Sequence, residues 1–153
     1  VSSLLTDMAD AIVTELNSQE FSLGFRASRV NVPSEKLEDL SRLYVEVVPR
    51  ARVKTQILRD RYQFDMSFLI GIRKALNSDA NSESDPLIAL GEEIDEHFVG
   101  GLIMDSFPDA KCKGSEFGSG DDSPWMSVQS QTEALLYTGV VIVQFVVHAT
   151  IGS

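Results

Sequence analysis

Cysteine is nearly absent from this sequence: Cys112 stands alone among 153 residues. That excludes an intrachain disulfide and a multi-cysteine metal site, and makes a reducing compartment the natural setting. Histidine is almost as scarce, with only His97 and His148. No uninterrupted apolar run reaches the ~20 residues of a membrane-spanning helix. The longest candidate, 139–151, is broken by Gln144 and His148 and is rich in β-branched residues. The N-terminus lacks the basic start and apolar segment of a secretory signal, so the chain reads as a soluble protein made in the cytosol. Also missing are His-Glu-x-x-His, Gly-x-Ser-x-Gly and a glycine-rich phosphate loop ending in Lys-Ser/Thr. Gly114, Gly118 and Gly120 accompany Asp121 and Asp122 rather than joining a strand to a helix, which fits nucleotide binding poorly. No cofactor is expected.

Positive charge is scarce in one half only. Of the 13 Lys and Arg residues, all but Lys111 and Lys113 fall within 1–74, whereas 13 of the 23 Asp and Glu residues lie in 75–153. The net charge of −10 makes free nucleic acid a poor general ligand. A near-neutral half joined to an acidic half suits a molecule that meets copies of itself head to tail. A solvated acidic surface that serves solubility is the alternative. With 43% hydrophobic residues, the chain suffices for one domain and one core over 1–153.

Leu4, Met8, Ile12 and Leu16 recur every fourth residue, with Leu5 and Ala11 beside them, and predict a first helix. Ser2 or Ser3 caps it, and Asp7 and Asp10 lie near its positive end. Residues 25–32 predict a short strand stopped at Pro33, and 35–40 a brief helical turn. Leu43 to Val48 is an apolar burst. Tyr62, Phe64, Met66, Phe68, Ile70 and Ile72 then alternate with Gln63, Asp65 and Ser67, the pattern of a strand with one dry and one wet face. After a polar linker over 77–84, Asp85-Pro86 reads as the start of a second helix. Its stripe is Leu87, Leu90, Gly91, Ile94 and Phe98, and Gly100-Gly101 ends it. Residues 105–126 read as a long Gly-, Ser- and Asp-rich loop, closed by Trp125 and Met126. Val140 to Val147 is apolar on both sides, as in a central strand covered from two directions; with the wet face of 62–72 it points to a neighbouring subunit, and a helix over the second face is the cheaper explanation. The order implies an α+β fold: an antiparallel or mixed sheet of about four strands, two helices packed on one face, and a long arm between two central strands.

That arm, over 50–61, carries Arg50, Arg52, Lys54, Arg59 and Arg61 among Val53, Ile57 and Leu58, and reads as a charged loop. A nucleic-acid arm adds aromatic or amide groups for stacking and base contact. Here only Gln56 qualifies, and apolar residues interleaved with arginine favour a protein interface. Glu92, Glu93, Asp95 and Glu96 on the second helix, with Asp121 and Asp122, form the candidate acidic counter-surface. Catalytic readings are weaker. His97 and Glu93, one turn apart, could hold a divalent ion, but such pairs are common on solvated helices. A lone Cys112 with a thiol pKa depressed by Lys111 and Lys113 could pair with a histidine. An incidental cysteine is the commoner meaning. Asp60, Asp65 and His97 together would suit a small metal-dependent hydrolase, although the arginines around Asp60 offer it local partners.

The succession of an N-terminal helix, LYVEVVPR, the charged arm, RYQFDMSFLIGIRKAL, DPLIALGEEIDEHF and EALLYTGVVIVQFVV resembles the tail terminator proteins of long-tailed, siphovirus-like bacteriophages. The resemblance covers most of the chain in order, length and pattern and departs from it at the acidic stretch 105–122. It implies a non-enzymatic virion protein at the head-proximal end of the tail, assembled in the host cytoplasm. Copies would close into a ring, expected to be a hexamer, that caps the tail tube protein, stops its polymerisation and receives the head–tail connector or stopper protein. DNA would be only a passing cargo, repelled by a net-acidic channel. The arm would contact the tube or the adjacent subunit, and the acidic helix or the 105–122 stretch would receive a basic patch. The nearest alternative is a head-completion or stopper protein.

Overall fold

In the computed structural model the first helix, α1 (Leu4–Ser18), begins as its sequence dictates. Ser3 is the N-cap: its hydroxyl accepts from the Thr6 backbone N–H at 3.1 Å, while the Thr6 hydroxyl accepts from the Ser3 N–H. The reciprocal pair satisfies two amides that the first turn leaves without carbonyl partners. Met8, Ile12 and Leu16 are fully buried, as the fourfold spacing requires. The structure describes residues 3–31, 43–76, 81–118, 126–129 and 134–150. The predicted turn over 35–40, Pro33, Asp121 and Asp122 lie outside them.

The remaining elements are β1 (Ala27–Arg29), β2 (Tyr44–Leu58), β3 (Arg61–Leu76), α2 (Asn81–His97), β4 (Ala110–Phe117), β5 (Met126–Gln129) and β6 (Ala134–Thr150). The sheet runs β1-β2-β3-β6-β4, and β5 also pairs with β6. Only β1 and β2 are parallel; the other pairs are antiparallel. The α+β reading therefore holds, with more strands than the four expected. β4 accounts for part of the difference. Residues 110–117, expected inside a long loop, pair with 141–147 of β6 instead. Ala110 and Cys112 point inward, and a bulge at Lys113 with Gly114 at φ +132° then resets the alternation.

Both helices lie on one face of the sheet. Met66, Phe68, Ile70 and Ile72 of β3 and Val141, Val143, Phe145 and Val147 of β6 meet Met8, Ile12, Leu87, Leu90, Ile94 and Phe98 in a single core. Phe145 packs edge-on against Phe98 at 6.3 Å and Phe68 at 6.2 Å between centroids. Each such side chain contributes about 1.5–3 kcal/mol by leaving water. The second helix starts earlier than Asp85-Pro86 suggested, so Pro86 sits inside it. A proline there removes one backbone donor, a cost that the buried stripe must offset. Helix and sheet approach closely at Gly91, where an added Cβ would stand 2.0 Å from the Phe117 ring. Gly101, at φ +95°, follows the helix end as expected.

The second sheet face departs from expectation. β6 is central, between β3 and β4, yet no described helix covers its other side. Gln144 and His148 are exposed there, and Ile142 and Val146 are half-buried. The two-sided apolar run is thus a core face plus an open face.

Candidate docking surface

The basic arm is not a loop. β2 and β3 stay paired from Tyr44 and Arg73 out to Leu58 and Arg61, and the connection is a turn of just Arg59 and Asp60. The result is a β-ribbon backed on its β3 side by the last residues of β6, where Arg61 pairs with Thr150. Every residue from Arg50 to Arg61 is exposed. Three of the five exposed large apolar residues among those described are here: Val53 at 58%, Ile57 at 48% and Leu58 at 54%.

One residue decides how the ribbon presents its charges. Pro49 pairs with Phe68 but Ala51 pairs with Ser67, so Arg50 is an extra residue, a bulge in β2. Before it, Val45 and Val47 share the helix-covered face with Ile72 and Ile70. Beyond it the parity is inverted, and Arg52 and Lys54 lie opposite Met66 and Phe64 on that side. Ala51, Val53 and Thr55 turn to the open face with Ser67, Asp65 and Gln63. The Arg52 guanidinium sits 4.8 Å from the Phe64 centroid, and the Lys54 ammonium 4.8 Å from that of Tyr62. These cation–π contacts, about 0.5–1 kcal/mol each at exposed sites, hold two long side chains flat on the ribbon. Among the described residues, none of Arg50, Arg52, Lys54, Arg59 and Arg61 has a carboxylate at ion-pair distance. The Arg59 carbonyl accepts from Gln56 across the turn.

The acidic counter-surface is divided. Glu92 and Glu96 are exposed on α2. Glu93 instead accepts from the Ser22 backbone N–H at 2.9 Å and from its hydroxyl, tying down the segment after α1. Asp95 accepts from Ser115 of β4, through its carbonyl at 2.8 Å and also through its carboxylate. Two of the four helix acids therefore hold the subunit together.

The catalytic candidates do not converge. His97 Nε2 lies 2.7 Å from Glu15 of α1, not against Glu93, and its ring meets Phe21 and Phe98 edge-on. Asp65 is on the opposite, open face, bound to Gln63 and, at 3.2 Å, to Lys113. Partial burial raises its pKa, but the hydrogen bonds from Gln63 and Lys113 outweigh that and leave it below the usual carboxylate value. Asp60 is in the ribbon turn. No cluster of three metal-ligating residues occurs among the described residues. Cys112 is buried under Phe98, and burial pushes its thiol pKa up, the reverse of the activation that a nucleophile would need and in keeping with the incidental reading.

Sequence reasoning gave β3 a wet face but missed the groove that this face forms beside the ribbon. A shallow groove of about 170 Å³ there is lined by Ala51, Val53, Asp65, Ser67, Lys113 and Gln144. The signal was present: Ala51, Val53, Thr55 and Ile57 alternate with Arg50, Arg52, Lys54 and Gln56 at a strand's period of two. No protein-family model matches this chain, and no curated protein matches it either.

Proposed function

We propose that the protein is a structural subunit of the tail-terminator kind. Its copies close into a ring on the end of a phage tail tube, stop tube growth and leave the opposite face for the neck. The observation that carries the reading is the ribbon. A finger of strand backbone bearing five cations, none with a carboxylate partner among the described residues, and three exposed apolar side chains is costly to display in a solitary protein. It is well suited to docking, because burying Val53, Ile57 and Leu58 at an interface recovers about 25 cal/mol per Å² of apolar area. The uneven charge supports the same reading, since a head-to-tail ring needs two different, complementary patches.

Electron microscopy of the purified protein mixed with tail tubes tests it. The expected result is a cap of discrete stoichiometry on tube ends. Replacing Arg50, Arg52, Arg59 and Arg61 by Ala is expected to leave a folded protein that no longer joins those ends. A wild-type protein that stays monomeric beside polymerised tube overturns the assignment. Normal joining by the quadruple variant removes the ribbon from it.

A further inference from the structure

The outer edge of β2 is largely open among the described residues. Among the described residues β1 pairs with it over Val45–Val47, with Val30 N–H adding a bond to the Val47 carbonyl. From Pro49 to Leu58 that edge has no backbone partner among the described residues, a length of about 30 Å. It is the longest open edge described. The corresponding edge of β4 is partly closed, because Gly101 N–H donates to the Cys112 carbonyl and Cys112 N–H to the Leu102 carbonyl, both at 2.8 Å.

We propose that this edge binds an extended segment of a different protein, one whose sequence alternates acidic and small apolar residues. A strand added beside β2 places its side chains directly opposite those of β2, on the same two faces. One set meets Arg52 and Lys54, the other Ala51, Val53 and Thr55. The cation–π contacts pre-organise the first set: the Arg52 guanidinium faces Phe64, so its N–H edges stay directed along the ribbon surface for a carboxylate. The second set extends the apolar lining of the open-face groove.

The same charges argue against a second copy in this place. Pairing β2 with β2 sets Arg50, Arg52 and Lys54 against themselves, and pairing β2 with β4 sets them against Lys111 and Lys113. Like charges directly opposite destabilise a ladder, and lysine- and arginine-rich edges are a known protection against self-pairing. The edge is therefore a poor site for β2 or β4 of a second copy and a good one for an acidic strand. The inference goes beyond the ring reading. It is tested on the isolated subunit without tubes: loss of peptide binding leaves the ring reading to its own experiment, whereas an oligomer held through Arg52 and Lys54 supports that reading and overturns this one.

The test is fluorescence anisotropy with labelled peptides of about ten residues, enough to span the edge. A strictly alternating Glu-Val peptide is expected to bind. The same composition in two blocks, Glu then Val, and the alternating peptide N-methylated at every residue are each expected to bind at least ~10-fold more weakly. N-methylation removes the backbone donors and leaves the charge, so this readout needs no protein variant. Arg52→Glu/Lys54→Glu is expected to lose the Glu-Val peptide and gain an alternating Lys-Val one, which an unfolded variant cannot do. No binding of the alternating peptide, or equal binding of the block or methylated peptide, overturns the proposal. So does light scattering that finds a wild-type oligomer dissolved by the double substitution, which would assign the edge to a second copy.

Discussion

Gly91→Ala is the sharpest test of how α2 sits on the sheet. In an ordinary helix interior the change stabilises by about 1 kcal/mol. Here the new methyl would fall 2.0, 2.3 and 2.6 Å from three atoms of the Phe117 ring. Ordinary carbon contacts are about 3.5–4.0 Å, so the ring must retreat by about 1.5 Å or leave its slot. Leaving forfeits roughly 1–1.5 kcal/mol for a half-buried phenylalanine, and overpacking costs about 1–3 kcal/mol more. The clash outweighs the propensity. The single variant should therefore lose about 1–3 kcal/mol in urea unfolding, seen as a lower midpoint at unchanged slope. With Phe117→Ala already in place, the same methyl should be neutral or stabilising by up to about 1 kcal/mol. The cycle then yields a coupling of about 1–4 kcal/mol, reaching the upper end for residues in contact. Stabilisation by Gly91→Ala alone, or equal effects in both backgrounds, would show that helix and strand do not meet in this way.

Three further outcomes are expected. The Tyr137 hydroxyl is buried with no hydrogen-bond partner among the described residues, and burial raises its pKa to about 12. Tyr137→Phe should therefore hold or raise the unfolding free energy in urea, by about 1 kcal/mol at most; a clear loss would reveal a hidden partner. Asp65 titrates below its unfolded value of 3.8, so its contribution is present above that value and is lost as pH falls through the folded pKa. Melting curves of wild type and Asp65→Asn should accordingly differ at neutral pH and converge in acid, and a gap that persists in acid contradicts the assignment. Cys112 should react with a thiol reagent at neutral pH only as fast as the protein opens, and in full once unfolded. Rapid labelling of the native state would mean that β4 does not cover it.

The parts of the fold legible in the sequence are those where one face is dry. The α1 stripe, the 62–72 alternation and the α2 stripe each map onto the core, because burial imposes a period that composition alone can reveal. The ribbon was misread because its residues are all in water. With neither face dry, the alternation of Arg52, Val53, Lys54 and Thr55 carries little hydrophobic contrast, and charge density resembles a loop. β4 was missed for a different reason. Its inward residues are Ala110 and Cys112, small groups beside Lys111 and Lys113, and Gly114 interrupts the period at the bulge. The ribbon's cations were legible as a docking candidate, but their grouping onto one side was not, since it depends on a single unpaired residue across the ladder. Glu93 and Asp95 looked like surface charge because their partners, Ser22 and Ser115, lie far away in sequence.

Arg50 thus acts as a parity switch. Deleting that one residue while keeping Pro49 against Phe68 would roll the outer half of β2 over. The cations would then occupy the side now held by Ala51, Val53 and Thr55, and the aromatics of β3 would be left with a β-branched lid. Neither composition nor net hydrophobicity would register the change beyond one lost charge, yet every contact made by the finger would be exchanged. A surface governed in this way evolves by insertion and deletion as readily as by substitution, and a change of partner can arrive in a single step.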